Sequence, residues 1–342
     1  MLLTDDQIMI RDAARTFAHS EIAPFSAEWD RTAEFPSQIA KRLGELGFLG
    51  MTVSEEWGGS GADNLSLALV IEEISAADAA CGLLVGLQNS VVCAPINQFG
   101  TKEQKERYLR PAARGDIRGC FCLTEPQAGS DASNLRTRAE IRGNHYVING
   151  SKQFITSGAS ADIALIFGVT DPDSGKKGIS AFIASTDSPG YRVVTKEEKL
   201  GQRASDTCQL SFEDLEVFPD MVLGELGQGY RIALSNLEGG RIGIGAQALG
   251  IARAAYEAAL SYAKERESMG RPIIGHQAVA FRLADMATKI DVARQMIWHA
   301  AALKDSGYPA LKEASMAKLF ASEMAEEVCS AAIQVHGGYG FV

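Results

Sequence analysis

The 342-residue sequence lacks several features, and each absence narrows what it can be. No run reaches the roughly 18 consecutive apolar residues that a membrane-spanning helix needs. The most apolar stretch, 83–96, is interrupted by Gln88 and Asn89, so no membrane insertion is expected. The N-terminus reads Met-Leu-Leu-Thr-Asp-Asp, without a basic segment or cleavage pattern, so no signal peptide is expected. Positive charge is scarce: 33 Lys and Arg stand against 43 Asp and Glu, a net charge of −10. That balance argues against nucleic acid as a main partner, because neutralising phosphates takes clustered cations. It leaves room for a phosphorylated small ligand held by a few residues. Cysteines number six and include no CxxC pair. Cys120 and Cys122 lie two apart, so on a strand they face the same side. The five histidines form no metal-ligand spacing with the cysteines, and no metal is expected. The cysteines read as small buried hydrophobes in a reducing compartment.

What is present is an ordinary globular composition, 46% hydrophobic and 22% charged, over a length that suits two or three domains. Thr4 and Gln7 have the spacing of a capping box, and Ile10, Ala13, Ala14 and Phe17 follow on one helical face. Helical patterns continue through 36–47, 64–79 and 82–98. Thr101 with Gln104 opens another helix after Gly100. From about 117 the period changes to short β-rich runs at 146–148, 153–155, 163–169, 179–184, 191–194 and 208–212. Asn149-Gly150 is the strongest short-range hairpin mark. No helix-length pattern separates these runs, so an antiparallel sheet or small barrel is expected rather than a parallel βαβ sheet. Helical period then returns over 229–264, 277–303 and 308–335, with Val279, Leu283, Met286, Ile290, Ala293 and Ile297 spaced as a bundle seam. The expected fold is α+β in three domains: an N-terminal helical domain (1–116), a middle antiparallel β domain (117–220) and a C-terminal helix bundle (221–342). Gly224-x-x-Gly227-x-Gly229 superficially resembles a dinucleotide fingerprint. It has neither the spacing nor the βαβ context, and reads as a helix entry loop.

The stretch 120–136 begins as a strand and breaks into a loop pinned by Pro126 and Gly129, with hydroxyls and backbone N–H groups free to meet a ligand. Around it five motifs occur in a fixed order. They are Leu123-Thr124-Glu125-Pro126-x-x-Gly129-Ser130-Asp131, Asn149-Gly150-Ser151-Lys152-x-Phe154-Ile155-Thr156, Glu238-Gly239-Gly240-Arg241, Arg266-x-x-x-Gly270-x-Pro272 with Gln277, and Gln334-x-His336-Gly337-Gly338-x-Gly340. Together with the helix–sheet–helix order they strongly resemble the acyl-CoA dehydrogenases, most of all the short-chain and short-branched-chain members.

That resemblance implies an FAD flavoprotein that converts an acyl-CoA thioester to the trans-2-enoyl-CoA and passes electrons to electron-transferring flavoprotein. It implies a flavin lined by Phe121, Cys122, Leu123, Thr124, Gly129, Ser130 and Ile155, with Phe154 over the ring and Thr156 near its hydride-accepting nitrogen. Arg266, Gln277, Gln334, Val335, His336, Gly337 and Gly338 match contacts to the dinucleotide end made across a subunit boundary, which implies an obligate oligomer, in this family commonly a homotetramer. Ser130, Glu238, Gly239, Gly240 and Arg241 match the substrate channel. The compartment implied is a bacterial cytoplasm or, in a eukaryote, the mitochondrial matrix.

The family's base is a Glu in a Tyr-Glu-Gly-Thr turn beyond the Gly337-Gly338 signature, a position expected past Val342. A minority carry it immediately before the residue matching Arg241, where this sequence has Gly240. Glu238 is two residues away, turned by about 200° on a helix. No base is therefore assigned, and C-terminal truncation is expected. An oxygen-reactive relative (an acyl-CoA oxidase or flavin monooxygenase) and a non-catalytic scaffold are the alternatives.

Overall fold

A computed structural model describes residues 2–342, which fold into two compact units. One combines the described residues up to Ser26 with Asp63–Leu83 and Arg241–Val342; the other combines Ala27–Ala62 and Leu84–Gly240.

The first unit is helical. Helix Asp5–Phe17 opens with the expected capping box, Thr4 and Gln7 each accepting from the other's backbone N–H, with Asp5 and Asp6 in its positive first turn. The C-terminal helices span Gln277–Asp305 and Leu311–His336, and Leu283, Met286, Ile290, Ala293 and Ile297 are buried in the expected seam. The long helix Gly229–Glu265 approaches Asn64–Ala77 at Gly250. A Cβ there would lie 2.4 Å from the Glu72 carbonyl oxygen, so no larger residue fits.

That close approach sets Arg253 against two adjacent buried carboxylates. Arg253 lies 2.7 Å from Glu73 and 3.3 Å from Glu72; Arg294 adds a 2.9 Å contact to Glu72 and Arg15 one of 2.7 Å to Glu73. Glu72 and Glu73 are each 4% exposed, so this ion cluster clamps four helices where water cannot screen it. At the other end of Asn64–Ala77, the Asp305 carboxylate accepts from the backbone N–H groups of Asn64 and Leu65, at 2.7 and 3.1 Å.

The second unit is built on one eight-stranded sheet: β1 (Gly119–Cys122), β2 (Arg138–Arg142), β3 (His145–Thr156), β4 (Ile163–Val169), β5 (Ile179–Ser185), β6 (Tyr191–Lys196), β7 (Thr207–Val217) and β8 (Val222–Leu223). The order is β6-β7-β3-β2-β4-β5-β8, with β1 also on β4. Most pairs are antiparallel as expected, but β1 runs parallel to β4 over Gly119–Cys122 and β2 meets β4 in parallel at Arg138↔Val169. The sheet is therefore mixed: the β2–β3 hairpin carries the chain from β1 to β4, doing the work a helix does in a βαβ unit. β4 is buried throughout. Its odd residues Ile163, Leu165 and Phe167 pack with Val92, Ile96, Leu109 and Ile232, and its even residues Ala164 and Ile166 pack with Leu210, Phe212 and Ile148. Cys120 and Cys122 share one side of β1 and are buried, as their spacing requires.

Two expectations are corrected here. Asn149-Gly150 is not a turn, since both residues lie inside the twelve-residue β3 at a register shift against β7. Asn149 exchanges hydrogen bonds with Asp214 at 2.8 and 3.1 Å, and a Cβ on Gly150 would meet Thr137 at 2.5 Å. The pair that favours a tight turn serves equally as a bulge. Ala79–Phe99 forms a continuous helical run of 21 residues with hydropathy 1.6, by length and composition enough to cross a membrane. It is a core element instead: 67% of its most apolar window is buried. Its Asn89 is satisfied by the Phe48 and Val85 carbonyls and the Met51 N–H. The glycine motif is the helix entry loop expected, with Gly227 N–H donating to Ser180 Oγ at 2.9 Å before the helix starts at Gly229.

One buried ion pair holds the 123–137 loop on this sheet. Lys152, on β3, has no exposed surface, and its three ammonium protons meet the Leu123 carbonyl (3.1 Å), Glu125 Oε1 (2.8 Å) and the Phe167 carbonyl (2.7 Å). Glu125 also accepts from the N–H groups of Arg136 (2.6 Å) and Thr137 (3.1 Å) at the far end of the loop. Burial pushes the Glu125 pKa up, but the Lys152 ammonium and these N–H donors outweigh it and hold the group below the ordinary 4.5.

Two predictions follow from these ion pairs. Glu73→Ala leaves Arg253, 13% exposed, with Glu72 as its remaining buried carboxylate and should cost about 2 kcal/mol in urea unfolding, against under about 1 kcal/mol for loss of the exposed Arg11–Asp12 pair. A carboxylate with a lowered folded pKa stabilises fully above its unfolded value, and that contribution is lost as pH falls through the folded value. Stability of Glu125→Gln should thus be lower at pH 7 and fall less steeply below pH ~4.5 than that of the parent, read by urea titrations at successive pH.

Candidate functional site

Two of the segments expected to face a flavin are joined directly. Gln153 N–H donates to the Thr124 carbonyl at 2.9 Å, and the neighbouring Lys152 holds Leu123 and Glu125 on either side of Thr124. Thr124 is half-buried, and its hydroxyl has no hydrogen bond among the described residues. The loop beyond it is closed by reciprocal bonds between Glu125 and Ala128, at 3.1 and 3.0 Å, which leaves Pro126, Gly129 and Ser130 exposed. Space around Gly129 is open.

Three of the expected lining residues turn away. The Cys122 side chain lies in the core between β4 and β7, Leu123 in the core beneath the helices, and Ile155 beside Cys208 and Leu210. Only their backbone could meet a cofactor, and the Leu123 carbonyl is already taken by Lys152. Phe121 is half-buried with its ring 4.7 Å from that of Phe167.

Phe154 does the reverse. The second irregularity between β3 and β7, at Lys152/Ile155, inserts an extra residue, so Lys152 and Ile155 both point inward while Phe154 is thrown outward, 63% exposed. Its φ is 57°, a left-handed conformation that costs a bulky residue roughly 1–2 kcal/mol. An aromatic ring held out in a strained conformation points to a ligand. Thr156, two residues on, is half-buried and pairs with Thr207.

In the helical unit, Arg266 follows Gly229–Glu265 and lines a cavity of about 490 Å³ with Val335, His336, Gly337 and Gly338. Five residues not foreseen complete its wall, Tyr262, Ser268, Ile273, Tyr339 and Val342. Tyr262 stacks on His336 with ring centroids 4.8 Å apart, and the one available signal was its place one turn before Arg266. His336 Nδ1 donates to the Ala332 carbonyl at 2.8 Å, which directs Nε2 away from the helix axis. Arg266 has no ion-pair partner among the described residues, leaving its guanidinium fork available to an anion. Gln277 and Gln334 are exposed and do not line this cavity.

On Gly229–Glu265, Glu238, Gly239, Gly240 and Arg241 are all half-buried. The nearest atom to a Cβ at Gly240 would be Ser90 Oγ at 3.9 Å, so a side chain has room there. Among the described residues no cluster of three or more His, Cys, Asp and Glu could hold a metal, and all six cysteines are free.

Comparison with known proteins bears on the whole chain. Residues 4–116 match the N-terminal domain of acyl-CoA dehydrogenase, 120–215 its middle domain and 227–342 its C-terminal domain. An acyl-CoA dehydrogenase of Bacillus subtilis is 48% identical over 342 residues, covering 100% of this chain and 90% of its own length. Butyryl-CoA dehydrogenase from Megasphaera elsdenii superposes with a TM-score of 0.98 at 41% identity, again over 100% of this chain and 90% of that one. A chain in the structure of "Electron transferring flavoprotein of Acidaminococcus fermentans: Towards a mechanism of flavin-based electron bifurcation" does so at 47% identity, TM-score 0.98 and the same coverages. This chain spans 90% of the length of each of these relatives. With matches to all three domains and 48% identity from end to end, the chain belongs to the acyl-CoA dehydrogenase family.

Proposed function

We propose that this protein is an FAD-dependent dehydrogenase of short acyl-CoA thioesters. It forms the trans-2-enoyl-CoA and yields its electrons to electron-transferring flavoprotein. The observation that carries this reading is the wall made where Gln153 bonds the Thr124 carbonyl: an unbonded threonine hydroxyl next to a strained, exposed Phe154. These residues fit a flavin, which asks for a hydrogen-bond donor at the edge of the ring and an apolar surface over its face. The Arg266 cavity suits the charged dinucleotide end. FAD supplies the acceptor for the hydride that leaves the β-carbon.

The protein's own groups do the remaining work. Thr124 and Thr156 donate toward the ring and favour negative charge there, a preorganised electrostatic contribution. Phe154 covers the ring and excludes water. Gly129 and Ser130, with the helical segment Glu238–Arg241, line the approach of the thioester, and Arg241 offers a cation for its polar part. Removing the α-proton takes a carboxylate, and among the described residues none stands at the position before Arg241, where Gly240 leaves open space. The three parts 1–116, 117–220 and 221–342 assemble further as a homotetramer in a bacterial cytoplasm or a mitochondrial matrix, a setting in keeping with six unpaired cysteines.

Three measurements test this reading. Butyryl-CoA added without oxygen should perturb the absorption of the FAD-loaded protein; a spectrum indifferent to any acyl-CoA overturns the assignment, and prompt reoxidation in air redirects it to an oxidase. Gly240→Glu places a carboxylate before Arg241 and should raise the rate of flavin reduction by about 10²-fold, the lower end of what a positioned base contributes. Phe154→Gly relieves the left-handed strain, so the apoprotein should unfold at higher temperature by about 1 kcal/mol of added stability, while FAD affinity falls.

A further inference from the structure

We propose that Lys152 and Glu125 are positioning residues for the flavin-facing wall, acting through Thr124. This rests on the flavin reading above and adds residues that touch no ligand.

Lys152 Nζ has three protons, and three acceptors take them from three places: the Leu123 carbonyl, the Glu125 carboxylate and the Phe167 carbonyl in the middle of β4. Two of these belong to the residues immediately before and after Thr124. The third anchors the lysine to the most buried strand of the sheet. Thr124 is thus clamped on both sides by a single buried group, and its own carbonyl is taken by Gln153 N–H, next to Lys152 in the chain.

Glu125 completes the device. Beyond Lys152 it accepts from Gln127 Nε2 at 2.7 Å and from the N–H groups of Arg136 and Thr137. One carboxylate therefore gathers both ends of the loop, which leaves the exposed Pro126, Gly129 and Ser130 at its outer edge. A buried ion pair is a poor route to stability, because well-packed apolar residues of the same volume are often as good or better. What it does provide is direction: every lone pair and proton has one partner at a fixed angle. Among the described residues two hydroxyls at this clamp have no bond: that of Thr137 is buried, and that of the half-buried Thr124 is the one expected to donate to the flavin.

The test uses the FAD-reconstituted protein in four forms: parent, Lys152→Met, Thr124→Ala and the double variant. Two quantities are read, FAD affinity of the apoprotein by fluorescence quenching and the midpoint potential of the bound flavin. Lys152→Met should weaken FAD binding at least tenfold and lower the potential. In the double variant the potential should be no lower than in Thr124→Ala alone, because the lysine acts through that hydroxyl. Additive shifts, or an unchanged potential in a protein that has merely lost thermal stability, overturn the proposal. Should Lys152→Met not fold, Glu125→Asp retains both charges while shortening the reach, and it should shift affinity and potential in the same direction by a smaller factor; no shift in it also overturns the proposal. A parent chain that binds no FAD overturns the flavin reading itself, an outcome distinct from normal flavin binding in the variants.

Discussion

A lysine with no exposed surface is the constraint on which the β unit turns. An ammonium ion cannot be carried into a low-dielectric interior unless its charge is matched and each proton bonded. Lys152 meets that condition only when β3, β4 and the loop 123–137 are all in their final places, since β3 carries the lysine, β4 supplies one acceptor and the loop supplies two. Partial assembly leaves a bare charge in an apolar core. The pair therefore penalises half-formed arrangements more than it stabilises the finished one, and the loop inherits the definiteness of the sheet beneath it.

The helical unit uses the same logic differently. Glu72 and Glu73, successive residues on one helix, draw arginines from three others, and Gly250 allows the backbones to come close enough for Arg253 to reach both. Successive residues on a helix point about 100° apart, so two adjacent carboxylates can serve partners on different sides. The cavity beside Arg266 lies at the C-terminal ends of two helices, Gly229–Glu265 and Leu311–His336, where the arginine fork has no ion-pair partner among the described residues.

Much of this was legible in the sequence because its causes are local. The capping boxes at Thr4 and Thr101, the bundle seam from Leu283 to Ile297 and the same-side placement of Cys120 and Cys122 follow from periods and short spacings, and each is found. The failures concern pairing across distance. Asn149-Gly150 carries turn chemistry, but whether it turns or bulges is decided by Asp214 on another strand. The parallel seating of β1 on β4 leaves no trace in either strand's pattern. The side chains of Cys122, Leu123 and Ile155 face the core by parity and leave only backbone toward a ligand, because a motif fixes which residues are near a ligand and the pleat fixes which side chains face it. Nothing in a single sequence distinguishes a buried, fully bonded lysine from a solvated one.

The hydrogen bonds from Asn64 and Leu65 to Asp305 span 241 and 240 residues. On a ribosome working at roughly 5–20 residues per second, the N-terminal helices wait on the order of ten to fifty seconds for that carboxylate to emerge. Every residue of the β unit precedes Arg241, so that unit can close while the helical unit still lacks the segment Arg241–Val342. During the interval Glu73 has Arg15 but Glu72 and Glu73 have no Arg253 or Arg294 beside them, and the unmatched carboxylate charge favours hydration of the waiting helix over premature apolar pairing. A cluster that locks the finished bundle thus also acts, earlier, as a solubilising patch on the nascent chain.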